Sequence, residues 1–260
     1  MILLYSFSSL LIVAVLFSAI VLTNEVGFRL GRFVQRHTDE EVKSYTGSIQ
    51  ASILGLLALL LGFTFSMAMQ RFDQRSMALI DEANAIGTVQ LRVELLPAQM
   101  QPTAEKLLDT YLDLRLAVAT LPMNEQDEQQ SLLTQTSQLQ QKLWQLVREA
   151  AEQDPRPVTT GMMITALNAM FDAQGKRNAV LHMQVPQIVL LVLFAVFTIA
   201  GGMMGYSAGL SGHRIIMPIL LVALIITLIV FLIIDLDRPR QGIIQVDQHP
   251  MMALPRLSET

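Results

Sequence analysis

The chain has 260 residues, 52% of them hydrophobic and 15% charged, with a formal net charge of -4 at pH 7. A mean hydropathy of +0.45 points to an integral membrane protein, and no basic excess points to nucleic acid. Cysteine is absent, which excludes disulfides and thiolate metal sites, and an aromatic content of 6% argues against an aromatic-lined substrate pocket.

Residues 2–23 are apolar apart from Tyr5 and small hydroxyls, and are long enough to span a bilayer. They carry no basic n-region and no small-residue cleavage site, so 1–23 is expected to remain as the first transmembrane helix. Residues 24–48 are a polar connector containing Glu25, Arg29, Arg32, Arg36, Asp39, Glu40, Glu41 and Lys43. Val26, Leu30, Phe33 and Val34 have helical spacing there, while Gly27 and Gly31 work against a helix. An interfacial helix and a solvated loop are equally open readings.

The second span covers 49–69. Gly47, Ala51, Gly55, Ala58 and Gly62 recur every three or four positions, a face that lets helices approach closely. No proline or turn cluster separates this span from Arg71, Asp73 and Arg75. One helix is therefore expected to leave the membrane and run on to about residue 95. From Ile53 to Glu94 it would make a rod of roughly 60 Å.

Residues 70–183 read as a helical soluble domain. Leu107, Leu108, Tyr111, Leu112 and Leu116 have helical spacing, as do Leu132, Leu139, Leu143, Leu146 and Ala150. Breaks fall at Pro97 with Pro102, at Pro122 with Asn124, and at 154–157. The expected helices lie at roughly 70–95, 103–120, 126–153 and 158–183. A third span at 185–206 opens at Pro186 and contains Gly201-Gly202-x-x-Gly205, a packing or bend feature. A short turn leads to the fourth span, 215–234. The tail, 235–260, is polar and proline-containing and is expected to lie on another surface. The fold class is all-α, with four transmembrane helices and the helical domain inserted between spans two and three.

Four spans place both termini on one side. Arg71, Arg75, Lys176, Arg177, Arg238 and Arg240 flank the side of the domain, and Arg29, Arg32, Arg36, Lys43 and Arg214 the other. That near-balance leaves orientation open by the positive-inside rule. His37, His182, His213 and His249 are scattered, and no nucleophile elbow or phosphate loop is present. No catalytic residue, metal ligand or cofactor is assigned, and the chain reads as a non-enzyme. Fifteen methionines read as flexible packing.

No span carries an ionisable group near its centre, which argues against proton-driven transport. A pore would be lined by Leu59, Phe63, Ser66 and Met67, a constriction able to gate by dewetting. Asp235, Asp237 and Arg238, just past the fourth span, read as interfacial anchors or as a gating or ion contact. Glu82 and Asn84 would face an otherwise small or apolar bundle. A buried carboxylate there needs an arginine, and Arg115 and Arg177 are the candidates.

Three stretches resemble the bestrophin superfamily, and more closely its bacterial bestrophin-like members. Gly62-Phe63 followed by Arg71-Phe72-x-Gln74 is similar to the bestrophin second helix. Asp81-Glu82-Ala83-Asn84-Ala85-Ile86-Gly87 sits where that helix continues beyond the membrane. The run from Asp235 through Arg238 to Gly242 resembles the segment after the last bestrophin helix. Asp73 stands where the family has a second aromatic, and Arg240 where the last motif has phenylalanine. No acidic calcium clasp is recognisable beyond Asp235 and Asp237.

The resemblance implies a homopentameric ion channel in the bacterial inner membrane, with the helical domain and both termini cytoplasmic. It implies that the second helix of each subunit lines the pore, with a neck at Gly55, Leu59 and Phe63. Arg71, Asp73 and Arg75 would then ring the entrance below that neck. The expected partners are further copies of the chain, the lipid membrane and monatomic ions. The expected activity is passive conduction. The rival reading is a membrane-anchored sensor or interaction module whose bundle binds a partner or ligand.

Overall fold

The computed structural model describes residues 7–121, 125–214, 216–239 and 242–259. Residues 2–6 of the expected first span, Pro122 and Asn124 of the expected break, and Ile215, Arg240 and Gln241 lie outside them. Among the described residues the secondary structure is helical, without strands. The chain divides into two compact units. One contains residues 1–70 and 184–238, the other residues 71–183 and 239–260.

The first unit contains α1 (Ser9–Val34), the beginning of α2 (Glu40–Arg92), α6 (Gln187–Ser211) and α7 (Ile216–Asp237). Among the described residues, four helices are long and apolar enough to cross a membrane, namely these three and the apolar part of α2. Ser8 caps α1, its side chain accepting from the Leu11 N–H at 3.3 Å. α1 then runs on to Val34, through the first part of what the sequence presents as a connector. The reason is α6. A Cβ on Gly27 would overlap the Gly202 carbonyl, and one on Gly205 would overlap the Asn24 carbonyl. The glycines that speak locally against a helix are contact surface, and they let two backbones touch. Polar side chains reinforce the crossing. Asn24 Nδ2 donates to the Gly201 carbonyl at 3.1 Å, and Thr23 Oγ1 to that of Thr198 at 3.0 Å.

α6 ends at Gly212, whose left-handed backbone (φ 74°) turns the chain into α7. Arg214 in this turn pairs with Glu25 and lies 5.1 Å over the Phe28 ring, fixing the hairpin to α1. α7 extends to Asp237, so Asp235 and Asp237 belong to its last turn.

The second unit contains the rest of α2, α3 (Gln101–Thr120), α4 (Gln126–Gln153), α5 (Thr160–Leu181) and the short α8 (His249–Met252). Two turns of 3-10 helix around Pro97 separate α2 from α3, and Pro102 occupies the first turn of α3, where a missing N–H costs nothing. The core is one apolar cluster in helical registers: Ile86, Val89 and Val93; Leu108, Tyr111 and Leu112; Leu139, Leu143 and Val147; Met163, Leu167 and Met170. Met251 of α8, fully buried, completes it, so the tail after α7 is part of this core.

Candidate functional site

α2 has two faces in its membrane half. Leu57, Leu61, Thr64 and Ala68 form the buried stripe. Opposite it stand Gly55, Leu59 and Phe63, with Leu59 54% and Phe63 61% exposed. Four-residue spacing keeps those three on one side of the helix. A Cβ added at Gly47, Gly55 or Gly62 would meet nothing within 4 Å. The small-residue face of α2 is thus open among the described residues, unlike the filled glycine face of α1.

At about 100° per residue, Asp73 points roughly opposite to Arg71 and Arg75, each two positions away. Exposure follows this geometry. Asp73 is exposed, Arg71 is half-buried, and Arg75 is buried and held by contacts. The three residues therefore share one stretch of helix but not one face.

Asp235, Asp237 and Arg238 are all buried and all engaged. Both Asp237 carboxylate oxygens accept from the Val185 N–H, at 3.0 and 2.9 Å. Val185 lies just before the Pro186 that opens α6, so this carboxylate ties the end of α7 to the start of α6. The Arg238 N–H closes back on the Asp235 carbonyl at 3.2 Å.

Glu82 takes both arginines that the sequence offers it. Arg115 Nη2 donates to its Oε2 at 3.2 Å and Arg115 Nε to its Oε1, and Arg177 Nη1 donates to Oε2 at 2.7 Å. All three side chains are buried, so α2, α3 and α5 are joined by a charged clasp inside the apolar core. Asn178 also accepts from Arg115 Nη2 at 3.3 Å, and Gln248 accepts from Arg177 Nη2 at 3.0 Å, while Arg115 Nη1 is buried without a hydrogen-bond partner among the described residues. Beside the clasp, burial and then the negative charge of Glu82 push the Tyr111 phenol well above its ordinary range.

The tail is the part that pattern reading of the sequence misses. Asp109 of α3 accepts from the Leu257 N–H at 3.0 Å and from the Ser258 N–H and hydroxyl at 2.8 and 2.6 Å. Burial alone would raise this carboxyl, but the Ser258 and Leu257 hydrogen bonds and the Arg256 charge outweigh it and hold it below 3.8. Gln90 Nε2 donates to the Pro255 carbonyl at 2.9 Å. The usable sequence signal was the apolar set Met251, Leu254 and Leu257 inside a polar tail. Elsewhere in this unit, α4 and α5 bound a groove of about 490 Å³ lined by Trp144, Arg148, Asn168 and Phe171, among others. Among the described residues no group of carboxylates and histidines is placed to hold a metal ion.

A family model described as the bestrophin-like domain matches residues 9–251. The crystal structure of a bacterial bestrophin homologue from Klebsiella pneumoniae, a point mutant, is similar with a TM-score of 0.62 at 15% sequence identity. The match covers 90% of this chain and 93% of that one, and at this identity it is a likeness of fold. No curated protein matches the chain.

Proposed function

The chain belongs to the bestrophin-like family, and from that premise we propose that it is a homo-oligomeric ion channel of the bacterial inner membrane. Copies of α2 surround an axis and conduct ions passively through an apolar neck. Gly55, Leu59 and Phe63 line that neck, the subunits number five, and the helical unit lies in the cytoplasm. The observation that carries this reading is the unpacked face of α2. It is uncharged through the span, it is apolar or small, and none of the described residues covers it at Gly47, Gly55 and Gly62. Small residues at such a face admit a neighbouring helix, and apolar rings beside it can close a pore by dewetting. Asp73, further along α2, would meet ions just beyond the neck.

The test is symmetry followed by conductance. Protein purified in nanodiscs is expected to form a five-fold ring with α2 innermost. In planar bilayers Leu59→Ala and Phe63→Ala are each expected to raise unitary conductance several-fold by widening a dewetted constriction. A strictly monomeric protein would end the channel reading, because one subunit encloses no path. The second reading, a membrane-anchored binding module, draws on the groove that holds Trp144, 42% exposed. It predicts no axial path, so the same images separate the two.

A further inference from the structure

A second cavity lies within the helical unit, under the tail. It has a volume of about 570 Å³, between the far end of α2 and residues 254–257. Its size suits a small organic molecule. Leu91, Leu254, Pro255 and Leu257 supply its apolar wall.

Asn84, Thr88, Gln90 and Glu94 are its polar lining, and the last two stand one helical turn apart with acceptor oxygens to offer. Gln90 is only 4% exposed, and its Nε2 is committed to the Pro255 carbonyl. That bond fixes the orientation of the amide, because only the nitrogen can donate to a carbonyl. The oxygen Oε1 is left buried, with no hydrogen-bond partner among the described residues. A buried acceptor without a donor is costly, so this oxygen marks a place where a donor belongs. Glu94 is the other group. It is exposed, it is the one charged residue lining the cavity, and it makes no ion pair among the described residues. The neighbouring cations are occupied elsewhere. Arg92 donates to the Met162 carbonyl at 2.7 Å, and Arg256 pairs with Asp113.

We propose that this cavity is a binding site for a small organic ammonium ion with an apolar body. Side chains at i and i+4 stand about 5–6 Å apart at their Cβ atoms, a gap that one ammonium group can bridge. Its N–H groups donate to Gln90 Oε1 and to the Glu94 carboxylate. Its hydrocarbon part lies against Leu91, Leu254 and Leu257. An anion is disfavoured, because Glu94 would repel it and no cation lines the site among the described residues. A neutral apolar molecule would leave the Gln90 oxygen unmatched. The assignment stands independently of ion conduction, since it uses only residues of the helical unit.

Calorimetric titration of the full-length protein in nanodiscs tests it, with empty nanodiscs as the reference for membrane partition. The probes are 2-phenylethylammonium and its neutral analogue 2-phenylethanol. The expected result is saturable binding of the ammonium, one per chain, at least tenfold tighter than the alcohol. Glu94→Gln, at an exposed position that makes no ion pair among the described residues, is expected to weaken ammonium binding about tenfold and so to erase that preference. Absence of saturable binding would mean that water alone satisfies Gln90, and would overturn the proposal. So would equal affinity for the two probes, or an ammonium affinity that Glu94→Gln does not move.

Discussion

The two units join helix to helix by opposite means. In the membrane unit, α1 and α6 meet where side chains have been removed, at Gly27 and Gly205, until backbone touches backbone. In the helical unit, α2, α3 and α5 meet through three of the longest polar side chains the chain possesses, Glu82, Arg115 and Arg177. The difference follows from the solvent each unit leaves. Lipid gives no hydrophobic reason for helices to associate, so close van der Waals contact and a few polar bonds carry the join. In water an apolar core such as that of the second unit draws helices together, and the clasp adds a demand for one particular register.

The largest test of this contrast is at the clasp. Glu82→Leu strands two buried guanidinium groups and is expected to cost about 3–5 kcal/mol, read as a lowered thermal midpoint of the purified protein. Replacing all three charges together with Leu and Met is expected to recover most of that loss. A triple variant as unstable as the single one would show that the charges contribute more than register.

At the glycine crossing, Gly205→Leu forces a side chain into the Asn24 backbone. A cost at the upper end of overpacking, about 3 kcal/mol or more, is expected, seen as loss of monodisperse protein. Gly62→Leu adds the same side chain on the open face of α2. It is expected to leave the thermal midpoint of the chain nearly unchanged and to dissociate the oligomer, measured by native mass spectrometry. If both variants behaved alike, the distinction between a filled and an open small-residue face would fail.

A smaller effect is expected from Asn24→Ala, which removes the 3.1 Å bond to the Gly201 carbonyl. Polar contacts between membrane helices average about 0.6 kcal/mol, and a shift of that order in thermal unfolding is anticipated. The smallest prediction concerns acid. Asp109 has a carboxyl pKa lower in the folded chain than its ordinary 3.8. Its contribution is therefore complete above pH 3.8 and is lost as the pH falls through the lower folded value. Hydrogen exchange should show residues 254–258 loosening only in that acid range, with the glycine crossing unaffected.

Much of this was legible in the sequence, for identifiable reasons. Long apolar runs announced helices able to span a membrane, and the leucine spacing of 107–116 and 132–150 announced α3 and α4. Glu82 announced its arginines, because a carboxylate inside an apolar bundle has few tolerable neighbours. Gly27 and Gly31 misled, since glycine weakens a helix locally and only a partner such as α6 reverses that cost. The start of α2 at Glu40 was hidden for a related reason. Its first turn is acidic and polar, which reads as connector but also suits a helix N-terminus. Gln90 and Asp109 gave no signal, because their roles depend on a tail far away in sequence. The faces of α2 were not separable beforehand either, since periodicity alone does not say which side its own chain covers.

Met251 has a consequence for how the protein is made. The core that begins with α2 and α3 closes only with a residue synthesised after α7, the last of the four apolar helices. The chain passes between the two units three times, so neither is a contiguous piece that could fold while the rest is still on the ribosome. Until the whole membrane unit has been translated, the helical unit waits with an unfilled socket. A nascent chain arrested just before α8 would therefore display exposed apolar surface to quality-control proteases, although every helix of its core but one is already present.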